Sequence, residues 1–155
     1  MDRRKVIAVL VVLLALAVAG MWAAEALTGN DPLASGGPAG YKVRVLDGDA
    51  VLASFGLDDL KEIGYDTITV DGKKEEGPRL SRVLEAAGVD EYTSLSIRGA
   101  AVRDDGIITL TRAEVENDVL LDVALRGTVK VVGPDIAWDD RVRDVMDIVV
   151  IGAQK

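Results

Sequence analysis

Neither cysteine nor histidine occurs in the 155-residue chain. The absence of cysteine excludes disulfides, thiol catalysis and thiolate metal sites. The absence of histidine removes the commonest general base and the commonest metal ligand, which excludes a Ser-His-Asp triad and a typical zinc or copper site. Neither of the glycine-rich phosphate-loop motifs, GxGxxG and GxxxxGK[ST], is present. The sequence therefore has no self-sufficient catalytic constellation, and we predict no catalytic residue and no metal ligand.

The charges are unevenly distributed along the chain. Three consecutive basic residues, Arg3 to Lys5, precede an apolar run, whereas from Asn30 onward 15 basic residues stand against 24 acidic ones, a net charge of −9. An acidic domain repels phosphate backbones, so we expect no binding to nucleic acid. Anionic lipid headgroups would repel it too, so the domain is expected to stand off a membrane surface.

Val6–Ala24 contains 19 residues without a charge. As a helix it spans about 28 Å, close to the hydrocarbon thickness of a bilayer. The basic residues before it should stay cytoplasmic, which predicts a single-pass protein of the cell membrane with its C-terminal part outside. Ala17-Val18-Ala19 and Ala24-Glu25-Ala26 both fit a signal-peptidase site, so secretion after cleavage is the alternative. The run exceeds the usual signal core of about 7–15 residues, which favours a retained anchor.

The chain is predicted to have three parts. Residues 1–27 form the anchor or signal segment, and residues 28–40, rich in Gly, Pro, Ser and Ala, form a flexible linker. Residues 41–155 are enough for one modest core.

Within the third part, hydrophobic patterns predict a mixed α+β domain with a largely non-parallel sheet. Strands are expected at Tyr41–Leu46, Ala50–Phe55, Thr67–Val70, Leu95–Ile97, Ile107–Leu110, Val129–Val132 and Ile148–Ile151. Helices are expected at Leu57–Ile63, at Pro78–Ala87, and after a capping box at Thr111–Glu114, the last carrying Val115, Val119 and Leu120 inward. Asp71–Gly77 is expected to be a charged turn, and Arg98–Gly106 a polar loop.

Acidic pairs and arginines are the remaining candidates for chemistry. Asp58-Asp59, Asp104-Asp105 and Asp139-Asp140 suggest calcium or a two-carboxylate hydrolase, but adjacent residues do not face one point, which favours helix caps and solvated turns. Arg98, Arg103 and Arg126 fall at the ends of predicted elements, where they can meet an anion or form surface ion pairs. Arg141 and Arg143 lie near Trp138, which allows a π-stacked or phosphate-facing arrangement as well as surface ion pairs.

The order of elements resembles a known family. Leu57–Lys61 follows a hairpin, and then come GPRLSRVLEAAGV (Gly77–Val89), LTRAEVENDVLLDVALRG (Leu110–Gly127) and RVRDVMDIVV (Arg141–Val150). Over about Tyr41–Val150 the chain resembles the molybdopterin-binding domain of the sulfite oxidase family, in a reduced stand-alone bacterial form. The resemblance implies that family's fold, and it suggests molybdopterin as a cofactor.

The departures from the family pattern limit what the resemblance implies. Catalytic members bind molybdenum through a Cys thiolate, which this chain lacks, and the family's Gly-x-Pro-x-Arg segment is missing after Gly127. No catalytic residue can be carried over. Only the loop containing Arg98, Arg103, Asp104 and Asp105 remains as a candidate part of a cofactor or ligand pocket.

Three hypotheses follow for function. The first is a non-catalytic, membrane-tethered extracytoplasmic module that binds a small ligand or serves another envelope protein. The second is an oxidoreductase, or a subunit of one, that holds molybdopterin without a Cys ligand. The third is a structural tether for an envelope partner.

Overall fold

The computed structural model describes residues 40–100 and 106–153. The predicted membrane segment Val6–Ala24, most of the predicted linker and the candidate residues Arg103, Asp104 and Asp105 lie outside the described residues. Among the residues that are described, no helix has both the length and the apolar character needed to cross a membrane.

The described residues form a sheet-rich α+β domain. Its strands are β1 (Val43–Asp47), β2 (Ala50–Phe55), β3 (Asp66–Val70), β4 (Lys73–Gly77), β5 (Ser94–Ala100), β6 (Ile107–Thr111), β7 (Leu120–Val123), β8 (Val129–Val132) and β9 (Arg143–Ile151). Its helices are α1 (Leu57–Ile63), α2 (Leu80–Ala86) and α3 (Arg112–Glu116), with a 3-10 turn at Trp138–Asp140. The α+β class and the largely non-parallel sheet expected from the sequence are confirmed.

The main sheet runs in the order β2-β1-β9-β5-β6, with β8 joining β9 and β7 joining β8. Only the β1–β9 pair is parallel among the pairings of the described strands. The hairpin of β3 and β4 forms a second small sheet. The final strand is therefore the centre of the main sheet, with β1 on one side and β5 on the other.

One face of the main sheet is covered by helices. Side chains of β1, β5 and β9 share one buried cluster with α1 and α2; its members include Val45, Ile97, Ile148, Leu60 and Leu84. On the opposite face Asp147 lies between Arg44 and Arg98 in register. Arg44 binds Asp147 through two hydrogen bonds, Nε to Oδ1 at 2.7 Å and Nη2 to Oδ2 at 3.1 Å.

Two helix ends follow the sequence signals closely. At the start of α3, the Thr111 N–H donates to Glu114 Oε2 at 2.7 Å, and the Glu114 N–H donates to Thr111 Oγ1 at 3.3 Å, which is the predicted capping box. The hydrogen bonds from Thr111 also lower the pKa of Glu114. At the end of α2, Gly88 has φ +76°. The Gly88 N–H donates to the Glu85 carbonyl and the Val89 N–H donates to the Leu84 carbonyl, and this pair of hydrogen bonds forms a Schellman cap.

Three sequence predictions of secondary structure are wrong. Asp71–Gly77 is a turn only at its first two residues, because β4 follows and pairs with β3. Pro78 does not begin a helix: Arg79 caps α2 and bridges to Leu120. The helix after the capping box ends at Glu116, and Leu120 belongs to β7.

The polar loop predicted from Arg98 is also shorter than expected. Arg98 and the two residues after it belong to β5, where Arg98 is exposed and pairs with Ile107 and Asp147. Hydrogen bonds to β6 on one side and to β9 on the other hold this stretch of β5 extended. The pairing with β9 shifts register between Arg98 and Ala100, as at a β-bulge.

Tyr41 connects the start of the domain to β8 and β9. Its hydroxyl donates to the Val145 carbonyl and accepts a hydrogen bond from the Val129 N–H at 3.2 Å. Burial raises the pKa of Tyr41 to about 12 from its ordinary value of 10.0. The neutral hydroxyl is therefore the form that the fold favours.

Replacing Tyr41 by Phe should cost about 1 kcal/mol of the free energy of unfolding near neutral pH, the usual value of a lost internal hydrogen bond. Because the pKa is raised in the folded state, the wild-type contribution is fully present below pH 10 and is lost as the pH rises from 10 towards 12. Urea unfolding of the wild type and of Tyr41→Phe at several pH values should therefore show a difference in the free energy of unfolding that shrinks above pH 10. A difference independent of pH would contradict this role of the hydroxyl.

Candidate functional site

The hairpin of β3 and β4 brings a charged strand against β7 and β8. β4 carries Lys73 and Glu75, and the turn before it carries Asp71. The two turn residues, Asp71 and Gly72, both have positive φ, +53° and +75°, which suits a two-residue hairpin. Lys73, Glu75 and Gly77 share one face of β4, where Glu75 and Gly77 are buried and Lys73, next to the turn, stays exposed.

Glu75 is the centre of a cluster of buried charges, formed by Glu75, Asp122, Lys130 and Arg141. Lys130 Nζ lies 2.9 Å from Glu75 Oε2 and 3.4 Å from Asp122 Oδ2. Asp122 Oδ1 also accepts the Glu76 N–H at 2.7 Å, which links β7 to β4. The side chains of Glu75 and Arg141 are 6% and 2% exposed, so this cluster is screened from water.

Arg141 is held between an exposed acid and a buried one. Its Nη2 donates to Asp71 Oδ2 at 2.6 Å, and its Nη1 lies 3.8 Å from Glu75 Oε1. Arg141 Nε, Arg141 Nη1 and Glu75 Oε1 are buried without a hydrogen-bond partner among the described residues. Two of these atoms, Nη1 and Oε1, belong to the same 3.8 Å ion pair, and a gap of this length between buried polar atoms is one that a bridging water can fill.

Trp138 lies beside this cluster, and three cations approach its ring. Lys73 Nζ is 4.6 Å from the ring centroid, and the guanidinium carbons of Arg141 and Arg143 are 4.9 and 5.6 Å from it. The indole is 46% exposed. We call Trp138, Lys73, Arg141 and Arg143 the Trp138 site.

The Trp138 site carries excess positive charge in an acidic domain. Arg141 is neutralised by Asp71 and Glu75, but Lys73 and Arg143 are exposed and form no ion pair within residues 40–100 and 106–153. Two unpaired cations near one aromatic ring repel each other, and an anion beside the ring would relieve that repulsion. The site is therefore suited to binding an oxyanion.

The sequence predicted part of this site. Trp138, Arg141 and Arg143 are neighbours in the chain, and their π-stacked arrangement is confirmed. The alternative was surface ion pairing; Arg141 does pair with Asp71 and Glu75, but its side chain is 2% exposed, so the surface interpretation is wrong for it. Lys73 and Glu75 were missed because β4 was read as a turn, although the Asp71-Gly72 pair is itself a hairpin signal.

The other candidate residues lie elsewhere. Arg98 is exposed on β5, outside the Trp138 site. Arg126 forms an ion pair with Asp144, Nη2 to Oδ1 at 2.6 Å, so the surface ion-pair interpretation is confirmed for it. Asp59 Oδ2 accepts the Gly56 N–H at 2.7 Å at the start of α1, so it is a helix cap, as the sequence predicted.

A cleft of about 470 Å³ lies along β6, just after Gly106. Its lining includes Ile107, Ile136, Glu114, Asp135 and Asp140, so the charged side chains that the described residues contribute to its walls are all acidic. This cleft is the described cavity nearest in sequence to the loop singled out as a candidate cofactor pocket. Its acidic walls would repel an anionic cofactor.

Together the fold and the site define a sheet-rich α+β domain with a cationic aromatic site on a cluster of buried charges. Among the described residues, no group of three or more His, Cys, Asp or Glu side chains could hold a metal ion. The site supplies cationic and aromatic binding groups.

Comparison with known proteins supports the fold. No protein-family model matches the chain, and none of the curated proteins matches it. Among solved structures, the crystal structure of the sulfane dehydrogenase SoxCD from Paracoccus pantotrophus is similar, with a TM-score of 0.58 and 17% sequence identity. The match covers 72% of this chain and 38% of that chain.

This similarity shows the fold alone. The chain spans well under half the length of the SoxCD chain, and 17% identity carries no residue roles across. It supports a distant molybdopterin-oxidoreductase-like fold, in agreement with the resemblance to the sulfite oxidase family.

Proposed function

We propose that the protein is a non-catalytic accessory module, tethered to the outer face of a membrane through Val6–Ala24, and that its Trp138 site binds an anionic ligand. The observation that carries the proposal is the approach of Lys73 and Arg143 to the exposed Trp138 ring, without acidic partners among the described residues. The ligand class that fits is an organic oxyanion, a phosphate or carboxylate attached to a flat apolar group that lies against the indole.

A thiolate-bound molybdenum centre does not fit this chain. The sequence contains no Cys and no His, and the described carboxylates form no cluster that could hold a metal. No reaction step can be assigned to such a centre here. This mismatch favours a binding role over the oxidoreductase alternative.

Ligand binding can be measured on Trp138 itself. The chain has two tryptophans, so a Trp22→Phe background leaves Trp138 as the single fluorophore of the full-length protein in detergent micelles. Phenyl phosphate should change the Trp138 emission saturably and bind more tightly than inorganic phosphate. Lys73→Ala and Arg143→Ala should each weaken binding about fivefold, equivalent to about 1 kcal/mol per lost charge–oxyanion contact.

Lys42→Ala is the matched control, because Lys42 is also an exposed cation but lies outside the site. It should leave the affinity unchanged. The proposal fails if phenyl phosphate produces no saturable change, or if Lys42→Ala weakens binding as much as Lys73→Ala does.

Metal analysis separates the accessory role from the oxidoreductase alternative. Protein purified from its native host should contain far less than one molybdenum per chain and no pterin absorbance. Stoichiometric molybdenum, or a pterin chromophore that survives purification, would overturn the non-catalytic assignment.

A further inference from the structure

The strand β2 is an exposed edge of the main sheet. Within the part of the chain that the structure describes, it pairs only with β1. Its sequence, AVLASF, contains no charged residue and no proline. Val51 and Leu52 are 52% and 44% exposed although both are large and apolar.

Natural sheets usually protect an edge of this kind with a lysine, a proline, a β-bulge or a very short strand. β2 is six residues long and has neither a lysine nor a proline; its one irregularity is a shift in register that skips Leu52 in the pairing with β1. A free edge presents unpaired backbone donors and acceptors, which an extended peptide can pair with as an added strand. The absence of charge and proline along this edge therefore points to strand addition by a partner.

A cavity lies at the C-terminal end of β2. It has a volume of about 400 Å³ and is lined by Ser54, Phe55, Asp59, Glu62 and Ile63, from β2 and α1. Phe55 and Ile63 give it apolar walls, and Asp59 and Glu62 give it negative charge. Asp59 Oδ2 accepts the Gly56 N–H, whereas the Glu62 carboxylate forms no hydrogen bond or ion pair with the described residues, so Glu62 is the less engaged of the two carboxylates. A lysine or arginine side chain fits this combination, because its stem is apolar and its head is cationic.

A second copy of this chain fits the edge poorly. In an antiparallel β2–β2 pair, Asp49 before the strand of one copy would approach Asp58 and Asp59 after the strand of the other. Each copy also carries a net charge of −9 from Asn30 onward. Both effects oppose self-pairing, and both favour a basic partner.

We propose that β2 is the docking edge for an extended segment of a partner protein, which adds as a strand and places a basic side chain in the cavity at Glu62. Backbone hydrogen bonds provide the pairing, and the cavity selects the basic residue. The Trp138 site takes no part in this contact, so the two proposals can succeed or fail separately.

The test uses full-length protein in detergent micelles and a fluorescein-labelled peptide of alternating Thr and Val with Lys at the penultimate position. A second peptide has Glu in place of Lys, and a third has the Lys sequence with every internal backbone nitrogen methylated, so that neither edge of the peptide can donate a backbone hydrogen bond. Fluorescence anisotropy should show the Lys peptide binding about tenfold more tightly than the Glu peptide. Glu62→Lys should reverse that preference. The methylated peptide should not bind, because it cannot form the strand.

Leu52→Lys should weaken binding of the Lys peptide about tenfold, since it places a charge on the edge. Ile107→Lys is the matched control, because Ile107 is 42% exposed on β6, the edge strand at the other side of the sheet. Trp138→Ala should also leave peptide binding unchanged. Unfolding midpoints of the variants will establish that each remains folded.

The proposal is overturned if the Lys and Glu peptides bind equally, if the methylated peptide binds as well as its parent, or if no peptide binds saturably. It is also overturned if sedimentation shows a concentration-dependent dimer that Leu52→Lys abolishes, since that result would assign the edge to a second copy.

Discussion

Replacing Gly77 by Ala is expected to destabilise the domain by about 3 kcal/mol or more. A Cβ at Gly77 would lie 1.9 Å from the Leu121 carbonyl oxygen and 2.7 Å from the Leu121 carbonyl carbon. Both are backbone atoms of β7, so the contact cannot be relieved by rotating a side chain. β4 and β7 would have to separate, and the link from the Glu76 N–H to Asp122 would be lost with them.

Urea unfolding of the full-length protein, followed by far-UV circular dichroism, will measure this loss as a lower midpoint. The control is Gly56→Ala. Gly56 has an ordinary φ of −78°, and its added Cβ would meet only Asp59 Oδ2, at 3.4 Å. We expect the control to change the free energy of unfolding by less than about 1 kcal/mol. Equal effects of the two substitutions would show that β4 does not approach β7 this closely.

The second large effect is expected at Glu75. Glu75→Ala should cost about 3 kcal/mol, because removing one member of a buried charge cluster leaves the others uncompensated. Lys130 would keep only Asp122, at 3.4 Å, and Arg141 would keep only the exposed Asp71. Thermal and urea unfolding should both report the loss.

Glu76→Ala is the control for Glu75→Ala. The Glu76 side chain is exposed, and only its backbone N–H, which the substitution retains, bonds to Asp122. It should change stability by less than about 0.5 kcal/mol. A double-mutant cycle of Glu75→Ala with Lys130→Met should give a coupling energy of about 1–3 kcal/mol, the range for residues in one network. Additive effects of the two substitutions would show that Glu75 and Lys130 do not interact.

Elements with strong local signals could be read from the sequence. β2 and α1 have the predicted bounds, since the Asp47-Gly48-Asp49 turn marks the start of β2 and Gly64 marks the end of α1. β8 agrees as well, because four mostly β-branched residues stand between polar segments. In each case the determining residues are within a few positions of one another.

β4 and β7 could not be recognised in this way. The sequence of β4, KKEEG, is almost entirely charged, so no alternation of polar and apolar residues marks it as a strand. The burial of Glu75 in β4 depends on contacts with Asp122 and Lys130, which lie on strands far along the chain. β7 is buried on both faces, so its apolar run looks like the continuation of α3. The strand conformation of both elements therefore depends on tertiary contacts and not on a local sequence signal.

The same distinction between local and long-range signals applies to the residues of the Trp138 site. The closeness of Trp138 to Arg141 and Arg143 follows from chain neighbourhood, and the sequence indicated it. Lys73 and Glu75 reach the same place because the β3–β4 hairpin lies against β7 and β8. This arrangement is long-range, so no local sequence pattern indicates it.

The parallel pairing of β1 with β9 has a consequence for how the chain folds during synthesis. Arg44 and Asp147, which bind each other across these strands, are 103 positions apart. β9 also pairs with β1, β5 and β8, so a chain that ends before β9 has three separate strand pairs, β1–β2, β5–β6 and β7–β8, in place of the main sheet. Contacts so distant in sequence form slowly. We therefore expect a chain truncated before Arg143 to remain sensitive to protease, and resistance to appear only when β9 is present.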